Sequence, residues 1–261
     1  MSKPVNRILV SNDDGIDAPG LQSTIKIANQ LADEVWVIAP LQEHSGASHS
    51  LSLSKPLNME ERGPRTYAIG GTPTDCVMIA TRYLMRDYLP DLILSGVNFG
   101  QNIAEDISYS GTVAVAKEGT VSGIRSIAMS QAISFADPDG WPEPRFEVAE
   151  KYAPNIIRKL LQADWKEGTL VNINFPHIEP DDEPAVRLTA QGKRDRSILG
   201  IDARIDPRGR TYFWYDFDRV ISNPQKGTDI EAIMQGDISI TPLHMDHTSA
   251  SLTENLSKLF S

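Results

Sequence analysis

The sequence predicts an α/β fold, with a mostly parallel sheet carrying helices on both faces. Three observations support this. Short apolar runs bounded by turn residues alternate with segments of helical periodicity as far as about residue 176. The first forty residues already spell a β-α-β unit, which implies parallel strands and a right-handed crossover. After Pro176 the rhythm changes, and the chain turns acidic, then charged, then densely aromatic.

Each element has its own signal. Residues 7–10 (RILV) are an apolar run that reads as a buried strand. Residues 19–31 place apolar side chains at helical spacing, with Pro19 at the start, where its missing N–H costs nothing. Residues 34–39 (EVWVIA) form a second strand, stopped by Pro40. Residues 50–59 alternate and read as extended, and 66–69 read as a third strand. Thr72-Pro73-Thr74-Asp75 opens a helix running to about Arg86. A fourth strand over 91–94 (DLIL) ends in Ser95-Gly96-Val97-Asn98. A helix follows over 113–121, then a strand at 126–130, a helix at 146–161 and a strand at 169–174. Further on, 211–218 (TYFWYDFD) and 237–241 (DISIT) read as strands. The expected organisation is a catalytic α/β core over 1–176 and an extension over 177–261 that completes the same domain. The aromatic strand of that extension needs a cover, and a second subunit is a natural one.

The bulk numbers narrow the function. A chain of 261 residues with a formal net charge of -10 lacks the basic surface of a nucleic-acid polymer binder. No window nears the roughly 18 apolar residues that a membrane span needs. The N-terminus reads as free of a signal peptide. Cys76 is the single cysteine, which rules out an intrachain disulfide. A cytoplasmic protein is expected.

Ligands of parallel α/β sheets bind where the strands end. Here the first strand ends in Ser11-Asn12-Asp13-Asp14-Gly15, the second leads into Pro40 to Gly46, and the fourth into Ser95 to Asn102. All three are rich in oxygen-bearing side chains. Adjacent carboxylates become favourable once a hard divalent cation such as Mg²⁺ or Mn²⁺ sits between them. Asp13, Asp14, Ser45 and Asn98 supply such oxygens. The Asp-Asp-Gly run equally suits a plain turn. The helix start Ser110-Gly111-Thr112 suits a phosphate or a simple N-cap. His44, His49, His244 and His247 have no supporting partner motif. Glycine-rich dinucleotide and P-loop fingerprints are missing, as is a nucleophile elbow.

Taken as a set, SNDDGIDAPG, PLQEHSGASHS, GTPTDC, SGVNFGQN, YSGTVAVAKEG and ISITPLH resemble the SurE family of stationary-phase survival proteins. The likeness covers most of the chain. It implies a Rossmann-like core, a C-terminal region used in oligomerisation as a homodimer or homotetramer, and metal-dependent hydrolysis of nucleoside 5′- and 3′-monophosphates. It also implies a metal held by Asp13, Asp14, Ser45 and Asn98, with Asp13 and Asp14 as the catalytic acids. Asn12, Asn102, Ser110, Gly111 and Thr112 are expected to hold the phosphate. Two other readings stand beside this one: a broader phosphatase preferring short polyphosphate, and a non-catalytic metal- or phosphate-binding module. Two departures are visible. His44 stands where the family commonly has arginine, and residues 135–144 (FADPDGWPEP) exceed a minimal linker.

Overall fold

A computed structural model describes residues 3–133, 145–194, 199–217 and 224–260. The expected long linker at 135–144 and Asp218 of the aromatic stretch lie outside these. In chain order the elements are β1 (Val5–Ser11), α1 (Pro19–Asn29), β2 (Ala32–Pro40), β3 (Met59–Gly63), β4 (Thr66–Ile69), α2 (Pro73–Ile79), β5 (Leu92–Phe99), α3 (Gly111–Val121), β6 (Arg125–Gln131), α4 (Glu147–Leu160), β7 (Thr169–Phe175), β8 (Val186–Leu188), β9 (Leu199–Ile205), β10 (Thr211–Phe217), α5 (Asp229–Met234), β11 (Ile238–His244) and α6 (Ala250–Phe260).

Nine strands form one sheet in the order β3-β4-β2-β1-β5-β6-β7-β11-β8. The stretch from β4 to β7 is parallel throughout. β3 is antiparallel to β4, and β11 is antiparallel to β7. The mostly parallel α/β architecture is as the sequence predicts. Alternation along β1 explains the two helical layers. Ile8 and Val10 face one core, which includes Leu21 and Ile27 of α1 and Ile156 and Ile157 of α4. Leu9 faces the other, with Cys76 and Val77 of α2 and Val115 of α3. A strand apolar on both faces is the mark of a sheet covered on both sides.

Some boundaries differ from expectation. Residues 50–58 form no strand; β3 begins only at Met59. That stretch is a loop tied down by polar contacts, with Ser52 N–H donating to Asp75 Oδ1 at 3.1 Å. α2 ends at Ile79 and passes into a π turn over Ala80–Leu84. β5 runs through the glycine to Phe99, shifting register against β6 between Ser95 and Asn98. Gly96 sits there at φ 118°, and a Cβ on it would lie 2.2 Å from the Met129 carbonyl oxygen. Only glycine tolerates both conditions.

From the later residues, β8 and β11 join the main sheet, while β9 and β10 pair as a separate antiparallel ribbon. Among the described residues no helix is long and apolar enough to cross a membrane.

Candidate active site

The order β2-β1-β5 brings the three oxygen-rich loops side by side. Ser11 and Ser95 are register partners, so the loops after β1 and β5 leave at the same level. A cleft of about 840 Å³ opens there. Asp13, Asp14, Glu43, Ser45, Asn98, Asn102, Asp106, Tyr109 and Ser110 line it, beside an apolar wall from Pro19, Phe99 and Phe146. The start of α1 forms part of the rim. Its Gly20 packs so close to β5 that a Cβ would lie 1.9 Å from the Val97 carbonyl oxygen.

Asp13 is buried at the tip of β1. Burial pushes its carboxyl upward, while the Thr112 hydroxyl and backbone N–H groups of Asp13, Thr112 and Gly111 stabilise the charged form. The Thr112 hydroxyl donates to Asp13 Oδ1 at 2.5 Å. The start of α3 therefore serves Asp13. A Cβ at Gly111 would stand 2.6 Å from that of Asp13, so the approach requires glycine. Asp14 is pushed up to about 7, first by burial, then by the charges of Asp13 and Glu43, against a hydrogen bond from the Phe99 backbone.

The loop after β2 is fastened at several points. His44 N–H donates to the Asp13 carbonyl at 2.8 Å. Ser48 N–H donates to the Tyr109 carbonyl, and its hydroxyl to that of Ser108 at 2.7 Å. His49 Nε2 lies 2.9 Å from Glu118 Oε2. These contacts carry Ser45 to the cleft. Its hydroxyl donates to Glu43 Oε1 at 2.8 Å, which leaves the oxygen's lone pairs for another partner. Asn98 donates through Nδ2 to the Gly100 carbonyl at 2.8 Å, which commits the amide's donor end and leaves Oδ1 as an acceptor.

This donor set suits a hard cation. Among the described residues no group of three or more His, Cys, Asp or Glu side chains is arranged to hold a metal. Asp13, Asp14, Ser45 and Asn98 offer two carboxylates, a hydroxyl and an amide oxygen on the wall of one cleft. Such all-oxygen sets, completed by water, match Mg²⁺ or Mn²⁺ rather than a softer ion.

The residues expected at a phosphate separate into two groups. Asn102 and Ser110 line the cleft. Asn102 is fixed by a buried amide network: its N–H donates to Asn174 Oδ1 at 2.8 Å, its Nδ2 to Ser130 Oγ at 2.9 Å, and its carbonyl accepts from both Asn172 and Asn174. Ser110 caps α3, accepting from Val113 N–H at 3.0 Å. Asn12, Gly111 and Thr112, also expected at the phosphate, make contacts within the protein. Asn12 is buried beneath the turn, its Nδ2 donating to the Gly15 carbonyl at 2.9 Å. Gly111 and Thr112 turn their donors toward Asp13.

Glu43, Asp106, Tyr109, Phe99, Phe146 and Tyr215 also reach the cleft and were not singled out from sequence. Glu43 and Tyr109 lie inside the loops that carry the predicted residues, and that proximity was their only signal. Phe146 had none, because it opens a helix far along the chain.

The family model for Survival protein SurE matches residues 8–197. A relative from Parvibaculum lavamentivorans, named 5'-nucleotidase SurE, is 52% identical over 242 residues, which is 93% of this chain and 86% of the relative. One of the same name from Azorhizobium caulinodans is 49% identical over 254 residues, covering 97% and 98%. The crystal structure of the SurE protein from Aquifex aeolicus aligns with a TM-score of 0.84 at 34% identity, covering 98% of this chain and all of that one. With a matching family model over most of its length and near-full-length relatives at about half identity, this chain belongs to the SurE family.

Proposed function

We propose that this chain is a metal-dependent phosphomonoesterase that hydrolyses nucleoside 5′- and 3′-monophosphates to nucleoside and phosphate. The observation that carries this reading is the Asp13–Asp14 pair, which lines a cleft that also presents Ser45 and Asn98 and has no lysine, arginine or histidine among its described lining residues. The relatives' printed name, 5'-nucleotidase, supports it. So does the cleft's mixed lining, with polar groups beside aromatic rings able to cover a nucleoside.

Asp13, Asp14, Ser45 and Asn98 would hold a divalent cation, Mg²⁺ or Mn²⁺. Such an ion, when bound, neutralises phosphate charge and makes a water more acidic. Asp13 is the rigid anchor, because Thr112 and the start of α3 fix its carboxylate. Asp14 is less enclosed than Asp13, so it is the acid suited to orient the attacking water. Ser110 and Asn102, which line the cleft and are held by the α3 cap and the amide network, would contact the phosphate. The same reading makes this a cytoplasmic enzyme that forms a homodimer or homotetramer through its β9–β10 ribbon, with a core over 1–176 and a completing extension over 177–261.

The test is phosphate release from AMP by chelator-stripped protein, with and without Mn²⁺, beside Asp14→Asn. Release that needs Mn²⁺ and is lost in the variant is expected. No release from AMP or from a panel of monoesters and short polyphosphate would overturn the enzyme reading.

A further inference from the structure

The cleft is strongly acidic. Asp13, Asp14, Glu43 and Asp106 line it, and no lysine, arginine or histidine appears among its described lining residues. A phosphomonoester is itself an anion, so every uncompensated carboxylate opposes its entry. Asp13 and Asp14 are the acids that a cation would serve. Asp106 is compensated from within the chain. Both of its carboxylate oxygens accept from the Arg194 guanidinium, Oδ1 from Nη1 and Oδ2 from Nη2 at 2.6 Å. This is the bidentate fork that arginine makes best. The two side chains are only 20% and 27% exposed. Burial pushes the Asp106 carboxyl above its usual range and the Arg194 charge opposes that rise.

Arg194 lies 88 residues further along the chain, in the segment after β8. Several other contacts bind that segment to the same turn. Arg194 N–H donates to Glu105 Oε2 at 3.0 Å, and Gln191 Nε2 to the Ala104 carbonyl at 2.8 Å. The buried Asp229 carboxylate accepts from the N–H groups of both Ala104 and Gly192. The turn leads directly to the phosphate-facing residue: the Asp106 carbonyl accepts from the N–H groups of Tyr109 and Ser110, each at 2.9 Å.

We propose that Arg194 is a charge-masking residue of the substrate cleft, a positioning residue that acts through Asp106: its guanidinium neutralises that carboxylate at the cleft wall, so the turn ending in Ser110 can face an anionic phosphate. The proposal deepens the phosphomonoesterase reading and takes its substrate class from it. A purely mechanical clamp would need the Asp106 carboxylate as much as the arginine. A mask needs the arginine only while the carboxylate is there. The two are separable by mutation.

The experiment compares the full-length wild type with Arg194→Gln, Arg194→Lys, Asp106→Asn and the Asp106→Asn/Arg194→Gln double variant. Each is assayed with Mn²⁺ for KM and kcat on AMP and, by calorimetry, for the Kd of inorganic phosphate. Arg194→Gln is expected to raise KM and the phosphate Kd about tenfold while kcat changes less than about threefold, the scale of one exposed opposing charge in a dry site. Arg194→Lys keeps the charge and recovers most of the affinity. The double variant returns to near the wild-type KM. A double variant as weak as Arg194→Gln, or Asp106→Asn weakening phosphate equally, overturns the mask in favour of a clamp. So does an Arg194→Gln with unchanged KM and Kd. Should Arg194→Gln fail to fold, Asp106→Asn alone decides, since the mask requires its phosphate Kd to stay level or fall. Calorimetry also separates the two readings: a wild type that releases no phosphate from AMP fails the nucleotidase reading, while the order of phosphate Kd values still decides the mask.

Discussion

The Thr112 hydroxyl donates a 2.5 Å hydrogen bond to Asp13 Oδ1, joining the first turn of α3 to the tip of β1 across 99 residues of sequence. Both groups are buried, so water cannot replace either partner. The isosteric Thr112→Val is therefore expected to lose about 1–3 kcal/mol of stability, the usual cost of stranding a buried polar group. It should also bind Mn²⁺ more weakly, because the anchoring carboxylate is freed to rotate. Urea unfolding and calorimetric titration check the two effects, and Thr112→Ser should restore much of both.

Gly111→Ala tests the same junction sterically. The added Cβ would meet the Asp13 Cβ at 2.6 Å and Oδ2 at 2.8 Å. Either α3 or the acid must move. Activity on AMP is expected to fall at least about tenfold, since displacements of this size disturb catalytic alignment strongly. A circular-dichroism spectrum like that of the wild type would show that the fold survives the change.

Asp14 makes the metal-free protein sensitive to pH. Its folded pKa, about 7, lies above the ordinary value of 3.8. Between these values the folded state holds more protons than the unfolded state, so its contribution to stability is full at low pH and is lost as pH rises toward 7. Chelator-treated protein should therefore show a Tm that falls over this window, and Asp14→Asn should flatten the slope. Metal affinity runs the other way, because a ligand must be deprotonated. The Kd for Mn²⁺ should tighten as pH climbs through about 7.

Asn174 supports the cleft from below. It accepts from Asn102 N–H and donates to the Asn102 carbonyl. Asn174→Ala leaves both groups without that partner inside the protein. A loss of about 2–4 kcal/mol is expected for two buried bonds, together with a raised KM as the Asn102 loop loosens. Denaturant midpoints at constant slope would confirm a change in stability alone.

The β9–β10 ribbon exposes apolar side chains on both faces, with Phe213 65% and Trp214 61% exposed. Phe213→Lys is expected to shift the protein to a lower oligomer by light scattering. A wild type already at monomer mass would remove the oligomer from the reading.

The parts of this architecture that depend on local pattern were legible in the sequence. Ile8, Leu9 and Val10 announce a strand buried on both faces, and the acids that follow sit where a parallel sheet binds ligands. The rule that strand ends converge brings Asp13, Asp14, Ser45 and Asn98 to one cleft, as the structure has them, while their choice over the other loop oxygens comes from the family resemblance. The amides of Asn172 and Asn174 looked like ordinary strand positions, since their partner lies at least 70 residues away. Arg194 gives no local signal for the same reason, since its partner Asp106 lies 88 residues away. Thr112 looked like a phosphate donor because local sequence shows a helix start and not the carboxylate already filling it. At residues 50–59 the alternating pattern reads as extended, yet only Met59 enters a strand, and Ser52 before it is held by the Asp75 side chain instead.

The place of β11 in the sheet affects when the protein can be finished. It is the last strand in the chain, yet it lies between β7 and β8. During synthesis, β7 has a bare edge and β8 has no neighbour until residue 244 has cleared the ribosome. An edge left open in this way invites mispairing with other nascent chains. The segment carrying Arg194 hangs from β8, so the cleft wall cannot be completed before the sheet is. The sheet therefore stays unfinished until β11 has been made.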